Sequence, residues 1–397
     1  MKNTKFLFVT TSMLLLIFSF GCQQKSAQTS DYDAFISADQ AGMNATQDMM
    51  VVEDGSQSIR VAFGRYNISG SFFEEIYSYE EIEHPEGVTG DESFPSGYAE
   101  RNAAILDSVY RTAANNKDVY LGQDDVNRYI IQSSGKRQRL EKNNMYESFI
   151  AAMETRNVPW VQISEPMEGY LGLITLIERD DRPTTLFLDI GGENTKPATM
   201  QGPGQALPYG SKNLEQLTDP LAMSDQVNAC LRSLPNGGLQ KANIAFWGGG
   251  AYRTILMLRQ LMPEKYTVEL AGDFEGRAYN KVSMEDLDAL ENYILKDWKQ
   301  AREIYRKKNG ELKVKLSREQ HRGLVQMMRQ FSSSTGIRNV ILVDKYTTWA
   351  FGYGAWEVSL RTGTWTGPER ASIERHAGTN GATVYYNTPT VTASARR

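Results

Sequence analysis

Leu186-Phe187-Leu188-Asp189-Ile190-Gly191-Gly192-Glu193-Asn194-Thr195 is the stretch whose reading decides the fold. A short apolar run closed by glycines predicts a buried strand, and the lone Asp189 sits at its C-terminal end. The two glycines let backbone N–H groups approach a ligand closely. Such a loop can cradle phosphate while the carboxylate positions a metal or an attacking water. A tight hairpin that needs positive φ asks for the same residues, so the turn alone leaves both readings open.

Around it, strand and helix patterns alternate. Upstream, strands are predicted at Ser58–Phe63, Val126–Ile131 and Trp160–Ile163, and helices at Ala99–Ala114 and Met145–Thr155. Downstream, strands are predicted at Ala242–Trp247 and Val340–Val343, and helices at Ala222–Leu234, Tyr252–Leu261, Met284–Lys308 and Arg322–Phe331. Ser283 reads as an N-cap, with Asp286 in the first turn of the helix it opens. Alternation of this kind predicts an α/β protein with two sheet-centred lobes. Residues 72–100, acidic and aromatic with two Pro/Gly turn signals, read as an irregular excursion, and 361–397 as a variable, poorly ordered tail.

The N-terminus carries a different signal. Lys2 and Lys5 precede an apolar run from Phe6 to Phe20, and Ser19-Phe20-Gly21-Cys22 closes it. A charged start, a short apolar segment and a small residue before the cut predict a signal peptide over 1–21. Cys22 after Gly21 resembles a bacterial lipobox, with Ser19 standing where Leu is usual. That predicts an exported protein lipid-anchored through Cys22, and Gln23 after it favours the outer membrane facing the periplasm. Residues 22–55 read as the lipidated end and a flexible tether. The lobes are expected at 56–180 and 181–360.

Composition narrows the classes. Of 397 residues, 41% are hydrophobic and 23% charged, which suits a folded globular region. A net charge of -5 predicts no affinity for nucleic acid and none for anionic lipid beyond the anchor. There are two cysteines, so a lipidated Cys22 leaves Cys230 without a disulfide partner. His84, His321 and His376 are too scattered to suggest metal ligation.

Several segments carry a further resemblance in their order. Ile163-Ser164-Glu165-Pro166-Met167-Glu168-Gly169 comes first, then the Asp189 stretch, then Ala206-Leu207-Pro208-Tyr209-Gly210-Ser211. Phe246-Trp247-Gly248-Gly249-Gly250-Ala251-Tyr252-Arg253 follows, and Val343-Asp344-Lys345-Tyr346-Thr347-Thr348-Trp349-Ala350-Phe351-Gly352 closes the series. Over residues 58–357 this resembles the exopolyphosphatase/guanosine pentaphosphate phosphatase family, with its "DIGGGSTE", "SLPLGS" and "SGTxRA" segments. The resemblance implies a two-lobed actin-like ATPase (ribonuclease H-like) fold with a cleft between the lobes. It implies Glu168 as the base that activates water and Asp189 as a metal ligand. It also implies Gly191, Gly192, Gly249, Gly250 and Arg253 as phosphate-facing positions.

Departures from the family pattern are equally specific. The family's opening strand ends "DLGSNS"; aligned with Val61-Ala62-Phe63-Gly64-Arg65, it puts Ala62 at the Asp position and Gly64 and Arg65 in the phosphate loop. Glu193 replaces a loop glycine, and Lys196 falls where the family has a second metal-holding Glu. A Mg²⁺ site that loses two carboxylates is weakened, because the hard cation depends on anionic oxygens. Arg65, Lys136, Arg137 and Lys196 would then supply positive charge toward phosphate oxygens. Two functions stay open: a phosphate-ligand-binding or scaffolding lipoprotein with a degenerate site, or a hydrolase releasing terminal phosphate from polyphosphate or a nucleotide polyphosphate. Oligomeric state is left open.

Overall fold

Met49-Met50-Val51-Val52 is an unbroken apolar run with both faces covered, each residue at most 1% exposed. In the computed structural model it is the middle of β1, Thr46–Asp54, a central strand of the larger sheet. The structure describes residues 46–56, 58–68, 72–83, 93–112, 127–177, 180–217, 219–235, 241–266, 279–309, 317–343, 349–361, 373–376 and 383–385. Cys22 and the expected signal peptide lie outside them.

In the first half, β1 is followed by β2 (Ser58–Asn67), β3 (Phe72–Glu83) and α1 (Tyr98–Thr112). Then come β4 (Asn127–Gln132), α2 (Ser134–Lys142), α3 (Tyr146–Thr155), β5 (Trp160–Ile163) and α4 (Glu165–Leu176). The second half opens with β6 (Thr185–Ile190), β7 (Thr195–Thr199), β8 (Gly202–Pro203) and α5 (Pro220–Arg232). It continues through β9 (Asn243–Trp247), α6 (Gly249–Leu261), β10 (Tyr279–Val282), α7 (Met284–Asn309), α8 (Arg318–Thr335) and β11 (Asn339–Val343). The chain then returns through α9 (Ala350–Arg361), β12 (Ile373–His376) and β13 (Thr383–Tyr385).

The two sheets repeat one plan. The first runs β3-β2-β1-β4-β5 and is extended by β12 and β13; the second runs β8-β7-β6-β9-β11 and is extended by β10. In each, the leading strand pairs antiparallel with the next and parallel with the strand after the first crossover. The hairpin turn between β1 and β2 therefore corresponds to the turn between β6 and β7. Between the sheets lies a shared core in which α4 and α9 contribute Leu171, Ile174, Phe351 and Trp356, while Met49, Val51 and Phe187 enter from the strands. Gly352 makes the helix crossing close: a Cβ there would stand 2.2 Å from the Leu171 carbonyl oxygen.

Most predicted strands and helices appear within a few residues of their expected bounds, and three readings are corrected. The tether expected over 22–55 ends before Thr46, because β1 is buried and paired on both sides. The excursion expected over 72–100 begins as the strand β3, paired with β2 through two register irregularities. The tail expected over 361–397 contributes β12, which pairs antiparallel with β5, and β13. No described helix is long and apolar enough to cross a membrane.

Candidate functional site

The corresponding hairpins each place a carboxylate on the leading strand directly opposite a basic residue. Glu53 is the cross-strand partner of Arg60 in β1–β2, and Asp189 is that of Lys196 in β6–β7. Both are ion pairs, Arg60 Nη1 to Glu53 Oε1 at 2.9 Å and Lys196 Nζ to Asp189 Oδ2 at 3.0 Å. The spacing is the same in both lobes, an acidic residue and a basic residue seven positions on. Directly opposite side chains on an antiparallel pair are near neighbours, so the register itself fixes these contacts.

Helix α4 brings the third carboxylate. Its Gly169 lies so close to β7 that a Cβ would stand 2.8 Å from the Lys196 carbonyl oxygen and 2.9 Å from Lys196 Cβ. This approach sets the preceding residue, Glu168, against the lysine: Lys196 Nζ donates to Glu168 Oε2 at 2.9 Å. The other oxygen, Glu168 Oε1, accepts from the Ser134 amide and from Ser134 Oγ, both at 2.7 Å at the start of α2. Glu168, Asp189 and Lys196 are all buried. The three residues tie an element of the first lobe to the leading hairpin of the second.

Burial disfavours charge on Lys196, but Asp189 and Glu168 outweigh it and raise the amine above the ordinary lysine range. Asp189 is shifted upward, chiefly by burial, with Lys196 opposing. Glu53 is also raised by burial; Arg60 opposes, while Glu168 and Asp189 add to the shift. Glu53 Oε2 meets no hydrogen-bond donor among the described residues. Near the same corner, Asn194 of the β6–β7 turn donates to Glu165 Oε1, whose acid is raised mainly by its partial burial.

The turns around these groups are tightly built. The Gly191 amide donates to the Asn194 carbonyl, and the Ser211 and Lys212 amides donate to the carbonyls of Gly191 and Gly192. A Cβ on Gly191 would lie 3.4 Å from Lys196 Nζ, and one on Gly192 would lie 3.4 Å from Lys212 Nζ. Gly248 opens the turn before α6 with φ +92°, and a Cβ there would meet the Ile190 carbonyl at 2.5 Å and Asp189 Oδ1 at 2.9 Å. Gly249 is exposed, while Gly250 packs on Ile190 and Leu324.

Behind the β1–β2 turn lies a second buried set. Lys136 Nζ reaches Asp54 Oδ1 at 3.4 Å and Asn102 Oδ1 at 3.3 Å, and donates to the Tyr98 hydroxyl. Burial lowers the Lys136 pKa to about 8 despite Asp54. The Ser133 amide donates to the Asp54 carbonyl and Arg139 Nη1 to the Ser56 carbonyl. This clamps α2, and with it the Ser134 groups that hold Glu168, to the first turn.

Not every expected residue gathers here. Gly64 and Arg65 sit toward the far end of the β1–β2 hairpin, Arg65 paired with Asp48 at 2.8 Å. Arg65 is seven positions along β2 from Ser58, about 23 Å along a strand. The turn near Asp189 is instead Glu53-Asp54-Gly55-Ser56, whose first three residues the sequence reading assigns to the tether; its Glu53 stands where Ala62 is aligned. Arg137 is taken by Glu141 at 2.8 Å on the surface of α2. Arg253 lies near His321 of α8, whose pKa falls to about 4 through burial first, with the Arg253 charge also lowering it. Among the described residues, no ion pair joins Arg253 to the Lys196 group. Lys212 was missed, although it directly follows the quoted Gly210-Ser211.

No protein-family model and no curated protein matches the chain. Solved structures do. The Ppx/GppA family member from Aquifex aeolicus aligns with a TM-score of 0.57 at 15% identity, over 80% of this chain and 99% of that one. An exopolyphosphatase from Cytophaga hutchinsonii aligns with a TM-score of 0.53 at 13% identity, over 81% and 100%. An exopolyphosphatase-like protein aligns with a TM-score of 0.50 at 16% identity, over 79% and 98%. With the repeated sheet plan, these matches decide the fold. It is the actin-like ATPase fold. Here the two leading hairpins bring Glu53 and Asp189 to the ends of equivalent strands near Glu168.

The donor set does not fit a divalent cation. The Glu168 and Asp189 oxygens that would meet it are each within 3.0 Å of the Lys196 ammonium. Among the described residues, no group of three or more His, Cys, Asp or Glu side chains is arranged to hold a metal ion.

Proposed function

We propose that this protein is an envelope lipoprotein that binds a phosphate-containing anion in an exopolyphosphatase-like cleft without hydrolysing it. The observation that carries this reading is the occupation of Glu168. A general base must have an oxygen within hydrogen-bond reach of the attacking water. Here one Glu168 oxygen is held by the Lys196 ammonium and the other by two donors of Ser134. Phosphate recognition keeps its support: the glycine turn at 191–192 has Lys212 beside it. Charge-assisted contacts from such a lysine suit phosphoryl oxygens. The structural neighbours named as exopolyphosphatases make inorganic polyphosphate the first anion to try.

The envelope part rests on Ser19-Phe20-Gly21-Cys22 and the apolar run before it. Detergent-phase partitioning of the expressed protein tests it: Cys22→Ala should move the chain to the aqueous phase, and unchanged partitioning would remove the anchor. The binding reading is tested by melting the protein with polyphosphate and with guanosine pentaphosphate, alongside phosphate release. A saturable rise in midpoint that Lys212→Ala abolishes, without release, is expected. Release abolished by Glu168→Gln would instead support the alternative, a phosphoanhydride hydrolase.

A further inference from the structure

The two acid–base pairs at equivalent positions of the two lobes carry an inference about cations. We propose that Lys196 and Arg60 are resident counter-ions that take over the charge role of a divalent metal, so that the cleft receives its anion free of metal. Three observations point the same way. First, the pairs are cross-strand neighbours in both hairpins, so the strand register that builds the sheets also delivers each cation to its carboxylate. Second, Lys196 bridges Asp189 and Glu168 at 3.0 and 2.9 Å, a single positive centre between two acidic oxygens. Third, the close approach of Gly169 to the Lys196 backbone leaves that lysine's stem little room to swing away.

The chemistry of the exchange is specific. A divalent cation entering between Glu168 and Asp189 must displace a buried ammonium that both carboxylates favour. An ammonium is a compact point charge that suits carboxylate oxygens, and a guanidinium is always charged. Unlike a bound metal, both stay attached to the chain. Fixed cations beside Glu53, Glu168 and Asp189 keep the site's electrostatics the same wherever free divalent cations vary. The incoming ligand is then a polyanion whose charge is met by protein groups, Lys212 among them, with no metal bridge.

This inference concerns the same cleft as the proposed function and rests on that reading for its ligand. Its test contains no phosphate, so it can fail or succeed separately. The purified chain, Lys196→Gln and the Lys196→Gln/Arg60→Gln double variant are melted with and without Mg²⁺ or Mn²⁺, with isothermal titration of the same metals. The wild type is expected to show neither heat of binding nor midpoint shift. The double variant is expected to melt lower without metal and to gain a saturable, chelator-reversible shift. Metal at about 100 times its Kd should raise the midpoint by about 4 °C. Wild-type binding that Asp189→Asn abolishes would overturn the proposal. So would a double variant with native circular dichroism and elution that stays indifferent to both metals. If the double variant does not fold, Lys196→Gln alone decides on the same two criteria.

Discussion

Replacing Lys196 by Met keeps most of the length of the stem and removes the ammonium that holds Glu168 and Asp189. Those two carboxylates are then left buried and unneutralised, facing the same gap. Removing one partner of a buried charge network costs about 3–5 kcal/mol. The compact unit Asn44–Arg397 is large, and an unfolding entropy of about 0.7 kcal/mol/K is expected for a chain of its size. Dividing one by the other, the midpoint should fall by about 4–7 °C near neutral pH. The pH dependence has a definite sign. Burial already raises Asp189 above the usual carboxylate range with Lys196 opposing, so removal of the lysine raises it further. A carboxylate raised in the folded state contributes stability below its unfolded pKa and loses it as pH rises through the folded one. The deficit of Lys196→Met should therefore shrink when calorimetry is repeated at about pH 5. Asp189→Asn added to Lys196→Met should recover part of the loss. A deficit below about 1 kcal/mol, the range of exposed pairs, would refute the reasoning, and so would one that does not change with pH.

Gly248→Ala should cost more than about 1 kcal/mol in urea unfolding, because its φ of +92° suits glycine and a Cβ would meet the Ile190 carbonyl; a neutral result would contradict the turn beside Asp189. Lys136 binds its proton less tightly when folded, its pKa lowered to about 8, than when unfolded, so its contribution is lost as pH falls toward 8 and regained above it. Urea melts from about pH 8 to 10 should show that gain in wild type and a flatter profile in Lys136→Met. The Cys230 thiol is buried and pushed up to about 12, so native protein should resist alkylation and react once unfolded; fast native labelling would contradict the packing of α5.

Much of the fold was legible because its strands follow simple rules. Trp160–Ile163 was bounded to the residue and the strand before Gly191 to within one, since short apolar runs between turn residues admit little else. The first strand was not, because its apolar run Met49–Val52 is short, is flanked by Asp48 and Glu53, and follows a polar stretch that reads as linker. Helix α9 was hidden by Gly352 and Gly354, which read as turn residues but serve close packing against Leu171 and Met49. β12 is four residues long and owes its existence to pairing with β5, a long-range contact no local pattern announces. At the site, Glu168, Asp189 and Lys196 were all named from sequence. Their meeting at one ammonium depends on register and on the Gly169 contact. Missing β1 shifted the first turn to Gly64 and Arg65, and so concealed the repeated acid–base spacing of Glu53 with Arg60 and Asp189 with Lys196.

The most direct test of the account is phosphate release from polyphosphate by the purified chain, with and without Mg²⁺, run beside the same melting titration. The account predicts a saturable midpoint shift with polyphosphate that does not require Mg²⁺, and no release in either condition. Metal-dependent release that Glu168→Gln abolishes would contradict it, because the carboxylate held by Lys196 and Ser134 would then be activating water.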